Sequence, residues 1–335
     1  WSQEDNQHRF WFNDLSLTLN QQQWSERRVG LFYTPEDEQH KIRLLTDSLE
    51  LPFVAKTLGE LQLLTDSQFE PIGALNPRGY LENIDIDLHL PKSGFDHPVL
   101  LDFKANAVAV SVDHWGGVPK VSGLNGFVQQ RNRQGLAEVS SEDVGLFFPT
   151  LYKNAWQFRA LEGWVEWDVK PEQILVRSGP LKIAHEFANA QAEFALNLVK
   201  DESEEDLLAL SIGINELNTQ HKSLFLPEVL GENLLGWLDK SILAADLTQG
   251  QVLYQGAINK GAAQGNTKVQ VALDIQDAAI KYLPDWPIAE NINASVMVDD
   301  GRVDVAVTQA RLLDTKINKA YVKVAKNQQG QLILG

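Results

Sequence analysis

The chain has 335 residues, 44% of them hydrophobic, with 45 acidic against 29 basic side chains for a formal charge of −16, and no cysteine. That charge argues against nucleic-acid recognition, which needs Lys and Arg in patches, and against lying flat on an anionic membrane. The missing cysteine removes disulfide staples, thiolate metal sites and thiol nucleophiles, and no unbroken apolar window of about 18 residues exists to span a bilayer.

The chain opens with three runs, 10–19, 28–33 and 40–46, that read as strands joined by polar turns. Residues 51–64 break the pattern: Pro52 suits a first helical turn, and Phe53, Leu58, Leu61 and Leu64 then approximate one helical face. After Pro77 and Gly79 the sheet resumes in 80–90, where Leu81, Ile84, Ile86, Leu88 and Leu90 mostly alternate, and in 101–112.

The organising stretch is 116–169, three or four long strands folded back on one another as a meander. Leu161, Val165, Trp167 and Val169 fall at alternate positions there, the period of a strand with one apolar and one wet face. More strands follow in 173–178, 181–186 and 192–199, where Ala192, Phe194, Leu196 and Leu198 point one way. An acidic loop, 201–206, precedes the alternation of Leu208, Leu210, Ile212 and Ile214. Pro227 then opens a second helical segment with Leu230, Leu234, Trp237, Leu238 and Ile242 on one face, and Trp237 is expected to be largely buried. The sheet returns in 251–258, 268–275, 293–310 with a tight turn at Asp299, Asp300 and Gly301, and 320–325. Roughly fifteen to twenty strands interrupted only twice by helix define a mainly β, antiparallel chain.

The two interruptions resemble each other. Leu51-Pro52 and Leu226-Pro227 each open a helical segment that runs on to a glycine, Gly79 or Gly250, before a fresh strand. The order suggests an internal repeat of a meander plus a helix, stacked on its neighbours.

Motifs for chemistry are absent. The seven histidines are scattered, without His-x-x-x-His or His-Glu-x-x-His spacing. No Gly-x-Ser-x-Gly elbow occurs. The Gly-Gly and Gly-Leu-Asn-Gly stretches at 116–126 are turns, not phosphate loops. His114 beside Asp113 reads as a turn with a solvated imidazole, and 201–206 lacks the spaced ligands of a calcium loop. Glu162, Glu166 and Asp168 alternate as glycosidase carboxylates or as a plain solvent face would. What the strands do offer is apolar surface with little helix to cover it. Such a face packs on a second sheet as a sandwich, or curls into a trough around something apolar.

Several short motifs carry a resemblance: Leu75-Asn76-Pro77-Arg78-Gly79, 118–126 (VPKVSGLNG), Leu161-Glu162-Gly163 with Trp167, Phe225-Leu226-Pro227 leading to Gly236-Trp237-Leu238, and 282–287 (YLPDWP). In these the sequence resembles the YhdP branch of the AsmA-like proteins, relatives of TamB and of the bridge-like lipid-transfer proteins. The motifs cover most of 50–315. Phe225 stands where the family tends to have tyrosine, and the first fifty residues match no family motif.

The resemblance implies an elongated, twisted, U-shaped antiparallel β-groove built of repeating modules. It implies a periplasmic segment of a longer protein anchored in the inner membrane and reaching the outer one, whose partners are phospholipid acyl chains. It implies no catalytic residue, metal or cofactor. On that reading 1–78 ends one module, 79–249 is a central module closed by the second helical segment, and 250–335 begins the next. The expected groove lining is drawn from the alternating sets: Val165, Trp167, Phe194, Leu196, Leu198, Leu210, Ile212, Ile214, Val269, Val271, Leu273, Val305 and Val307.

Overall fold

The computed structural model describes residues 2–4, 7–19, 22–60, 66–92, 100–115, 117–201, 203–258, 266–326 and 332–334. It divides into two compact units, Trp1–Phe148 with Leu161–Lys170, and Pro149–Ala160 with Pro171–Gly335.

The first unit runs β1 (Ser2–Glu4), β2 (Gln7–Leu19), β3 (Gln22–Pro35), β4 (Gln39–Glu50), α1 (Leu51–Glu60), α2 (Asp66–Leu75), β5 (Arg78–Pro91), β6 (Leu100–Val112), β7 (Lys120–Arg131), β8 (Gln134–Phe147) and the second part of β9 (Trp156–Val169). From β1 to β8 each strand pairs antiparallel with the next. The anticipated single helix is two, and Leu61 and Leu64 lie outside the described residues. Phe53 of α1 stacks on Trp24, which is 7% exposed and donates from Nε1 to the Ser48 carbonyl. The chain leaves α2 through Asn76 at φ 44, whose amide donates to the Ile72 carbonyl. Pro77, which cannot continue a helix, follows.

The second unit contains the start of β9, then β10 (Gln173–Ser178), β11 (Leu181–His185), β12 (Asn189–Val199), β13 (Leu207–Asn218), 3-10 turns at Thr219–Leu224 and Glu228–Leu230, and α3 (Glu232–Ser241). It continues with β14 (Ile242–Ala257), β15 (Thr267–Ile280), β16 (Ala289–Asp299), β17 (Arg302–Leu312), β18 (Thr315–Ile317), β19 (Ala320–Lys326) and β20 (Leu332–Leu334). From β12 to β17 successive strands again pair antiparallel. Asp300 at φ 46 and Gly301 at φ 85 make the expected tight hairpin between β16 and β17. Ile242 begins β14 and is not part of the helix. Trp237 is 39% exposed, not buried: α3 turns Leu235 and Leu238 inward and leaves Leu234 and Trp237 on its open side.

Within each unit the sheet is a single layer. Among the described residues, strands touch their ladder neighbours and the short helices, and no second sheet lies across either unit. Val144 is the one large side chain below 2% exposure among the described residues. A sandwich would have shut one face of every strand from water.

Candidate functional site

Residues directly opposite in an antiparallel ladder point to the same face, so register assigns faces across the second unit. One transverse row runs Ala192, Ile212, Val252, Val271, Val298, Val303, Val324. The next runs Ala190, Ile214, Gly250, Leu273, Val296, Val305, Val322. On the far side of the first row lie Phe194, Leu210, Tyr254 and Val269, and beyond them Leu196 against Leu208 and Val176, then Leu198 against Ile174. A last row runs Leu217, Leu247, Ile275, Ala294, Val307, Ala320.

The eleven candidates from Phe194 to Val307 therefore share one face, which carries no acidic or basic side chain in these rows, Tyr254 supplying its one hydroxyl there. Most of these side chains are partly buried and none is sealed by a covering layer. Sequence reading left out Val252, Val296, Val298, Val303, Val322 and Val324, although each lies in a run with the same period of two.

A strict alternation would have lost this face. Ile214 and Leu217 are three residues apart yet share it, as do Gly250 and Leu247, so each strand inserts one extra residue between rows. Glu216 takes the positive φ of 56 that the bulge needs on β13, and Asp277 at φ 49 and Asn291 at φ 52 do so on β15 and β16. The Asn293 Oδ1 accepts the Asp277 amide at 3.0 Å, and Thr308 Oγ1 donates to the Asn293 carbonyl at 3.1 Å. Just past these bulges sits the tightest cluster of the unit, Ala245, Ala278, Ile292, Ala294 and Ala310, with Ile242, Ile280 and Ile317 packed on it.

The first unit repeats the device. Its face carries the rows Phe10, Leu31, Leu44, Ile86, Phe103 and His8, Tyr33, Ile42, Leu88, Leu101. Bulges fall at Asp14, Asn83, Ala109, Gly123 and Asp143, all at positive φ. The Asn125 Oδ1 accepts the Ala109 amide at 2.9 Å, while Ser141 Oγ donates to the Asn125 carbonyl at 2.8 Å. Asp277, Asn291 and Asn293 follow Ala109, Gly123 and Asn125 by one common interval. Trp167 joins this unit's face. Its indole covers Gly135, where a Cβ would lie 2.0 Å from the ring, and its Nε1 donates to Gln130 Oε1 at 3.3 Å. Val165, two residues earlier, shares that face by alternation.

The opposite faces mix charged and polar side chains with apolar ones, Phe32 standing opposite Arg43 and Leu45 opposite Asp85 in the first unit. In the first unit Arg43 grips Asp85 through two bonds of 2.8 and 2.7 Å, with Lys104 at 3.2 Å. Arg43, then Lys104, hold the Asp85 carboxyl below its ordinary range, and the Asp85 carboxylate raises Arg43 in return. In the second unit the polar face holds a concavity of about 1000 Å³ lined by Gln191, Gln251, Asp274, Ser295, Arg302, Asp304 and Lys323 among others. Ile214, Leu273 and Val305 border it as well, but their register turns those side chains to the other face. Its polar groups are amides, hydroxyls, the Arg302–Asp304 pair at 2.8 Å, and the charged side chains of Glu193, Asp274 and Lys323, a set without a histidine. The Asp113-His114 pair proves structural: Asp113 binds Arg78, Asn76 and Lys120, and His114 Nδ1 lies 2.8 Å from the Val118 carbonyl.

No curated protein and no solved structure matches this chain. The family model described as YhdP protein matches residues 1–333, nearly all of it, and the chain therefore belongs to the YhdP protein family.

Proposed function

We propose that the apolar face is a wall along which phospholipid acyl chains pass, in a periplasmic segment of an envelope protein that is anchored in the inner membrane and conducts lipid between the inner and outer membranes. The observation that carries this reading is the set of apolar rows, kept in phase by bulges, on sheets that among the described residues have no second layer within their own unit. Membership of the YhdP family supports it. The wall works by lowering a barrier: each methylene kept out of water is worth roughly 0.8 kcal/mol, so a lipid in transit needs continuous apolar contact. No covalent bond is made or broken, and no residue is assigned a catalytic role. The rival reading, a closed β-sandwich serving as an envelope scaffold, requires a second layer over this face.

Native mass spectrometry of the purified chain, after incubation with phospholipid vesicles, tests the proposal. Phospholipid adducts are expected. A protein that stays lipid-free and also takes up no fluorescent phospholipid would leave a scaffold as the better reading.

A further inference from the structure

The second unit contains a histidine that the lipid-carrying reading does not use. His185, at the end of β11, is 8% exposed. Its ring meets Phe158, Phe187 and Phe225 at centroid distances of 6.1, 5.4 and 5.3 Å. Its Nδ1 accepts the Phe187 amide at 3.2 Å, so that nitrogen carries no proton and the ring is neutral. Around this ring the segment Thr219–Leu224 and Phe225 are seated. His221 stacks on Phe187 at 3.5 Å, Phe225 lies edge-on to His185, and Trp156 Nε1 donates to the Leu224 carbonyl at 2.8 Å. From the same segment Lys222 Nζ reaches the end of α3, donating to the Ile242 carbonyl at 2.7 Å and the Asp239 carbonyl at 3.3 Å.

We propose that His185 is a proton-operated latch: neutral, it holds 219–225 on β9 and β11, and protonated, it releases that segment and with it the cap on α3. A proton on Nδ1 would point at the Phe187 N–H, turning an acceptor into a second donor. The new charge would sit among aromatic rings with Arg159, whose Nη2 donates to the His185 carbonyl at 2.8 Å, and near His221. Glu186, exposed to water, is the carboxylate that opposes this. Burial, followed by Arg159 and His221, holds the imidazole below its ordinary value. The closed form is therefore fully favoured above the free histidine value, about 6.5, and loses ground as pH falls below it, until the lower bound value is passed.

Hydrogen exchange read on peptides covering 219–226 between pH 7.5 and 5, corrected for intrinsic rates, tests the latch. Opening is expected to rise below about pH 6.5 by up to about tenfold per pH unit. His185→Phe keeps a ring but cannot titrate, and His185→Asn keeps an acceptor if the first variant folds poorly. Both are expected to abolish the pH step, while His221→Phe retains it. A flat wild-type profile overturns the latch, as does a step that survives both His185 variants. A step lost in His221→Phe but kept in His185→Phe would overturn the assignment to His185.

Discussion

A carboxylate at Ile212 would enter a row that is apolar along its length but, among the described residues, has no layer of its own unit above it. In a packed core an unpaired acid costs several kcal/mol because it leaves water entirely. Here one side stays wet, so Ile212→Asp is expected to cost below about 2 kcal/mol in urea unfolding and to keep the native circular dichroism, while phospholipid adducts fall. Global unfolding by this variant would mean that a partner layer exists. Gly135 is the opposite case. A methyl there meets the Trp167 indole at 2.0 Å, so Gly135→Ala must displace the ring, and a loss of about 1–3 kcal/mol is expected by the same titration. The alternation of Leu161, Val165 and Trp167 shows a sheet face in the sequence, but not that Trp167 folds over a glycine on a strand formed earlier in the chain. That contact depends on register, and register is set by bulges.

Bulges are the element-scale feature that sequence reading missed. Glycine, asparagine or aspartate marks most of them, as at Gly123, Asn291, Asp14 and Asp277, but Ala109 and Glu216 take positive φ with side chains that give no such signal. What holds them is tertiary: the amides of Ala109 and Asp277 are received by Asn125 and Asn293 on the next strand. Asn125→Ala and Asn293→Ala are each expected to cost about 1 kcal/mol, and by similar amounts, in chemical unfolding. Unequal losses would count against a shared device. The strands themselves were legible because a period of two needs no partner to be seen, whereas the helices were legible only as breaks. Pro52 and Pro227 flagged the two helical segments, but not the division of the first into α1 and α2 or the exposure of Trp237, because periodicity names a face without naming what covers it. The joint after α2 is testable by pH. Arg78, then Asn76, hold the Asp113 carboxyl well below the usual range. A depressed folded value means that the contribution is whole above about pH 4 and fades as pH falls below it. Asp113→Asn is expected to flatten that acid limb in thermal unfolding, and an unchanged limb would assign it elsewhere.

At the scale of the molecule, the acidic balance and the unsealed apolar rows belong to the same design. Polar faces carrying ladders such as Arg43–Asp85–Lys104 favour water, and among the described residues no second layer of the same unit lies over either apolar face. The family resemblance was legible from short motifs near the helix exits and turns, and the match over 1–333 extends it to the first fifty residues, where those motifs are missing. Under the proposed function, register decides which face would meet lipid. β15 offers the sharpest comparison, since Val271 lies in the long apolar row and its neighbour Ala272 lines the polar concavity. A photo-crosslinking amino acid placed at each position in turn, in protein loaded with phospholipid, reads the two faces of one strand. The account predicts lipid crosslinks at 271 and little or none at 272. Equal crosslinking at both, or crosslinking at 272 alone, would contradict it.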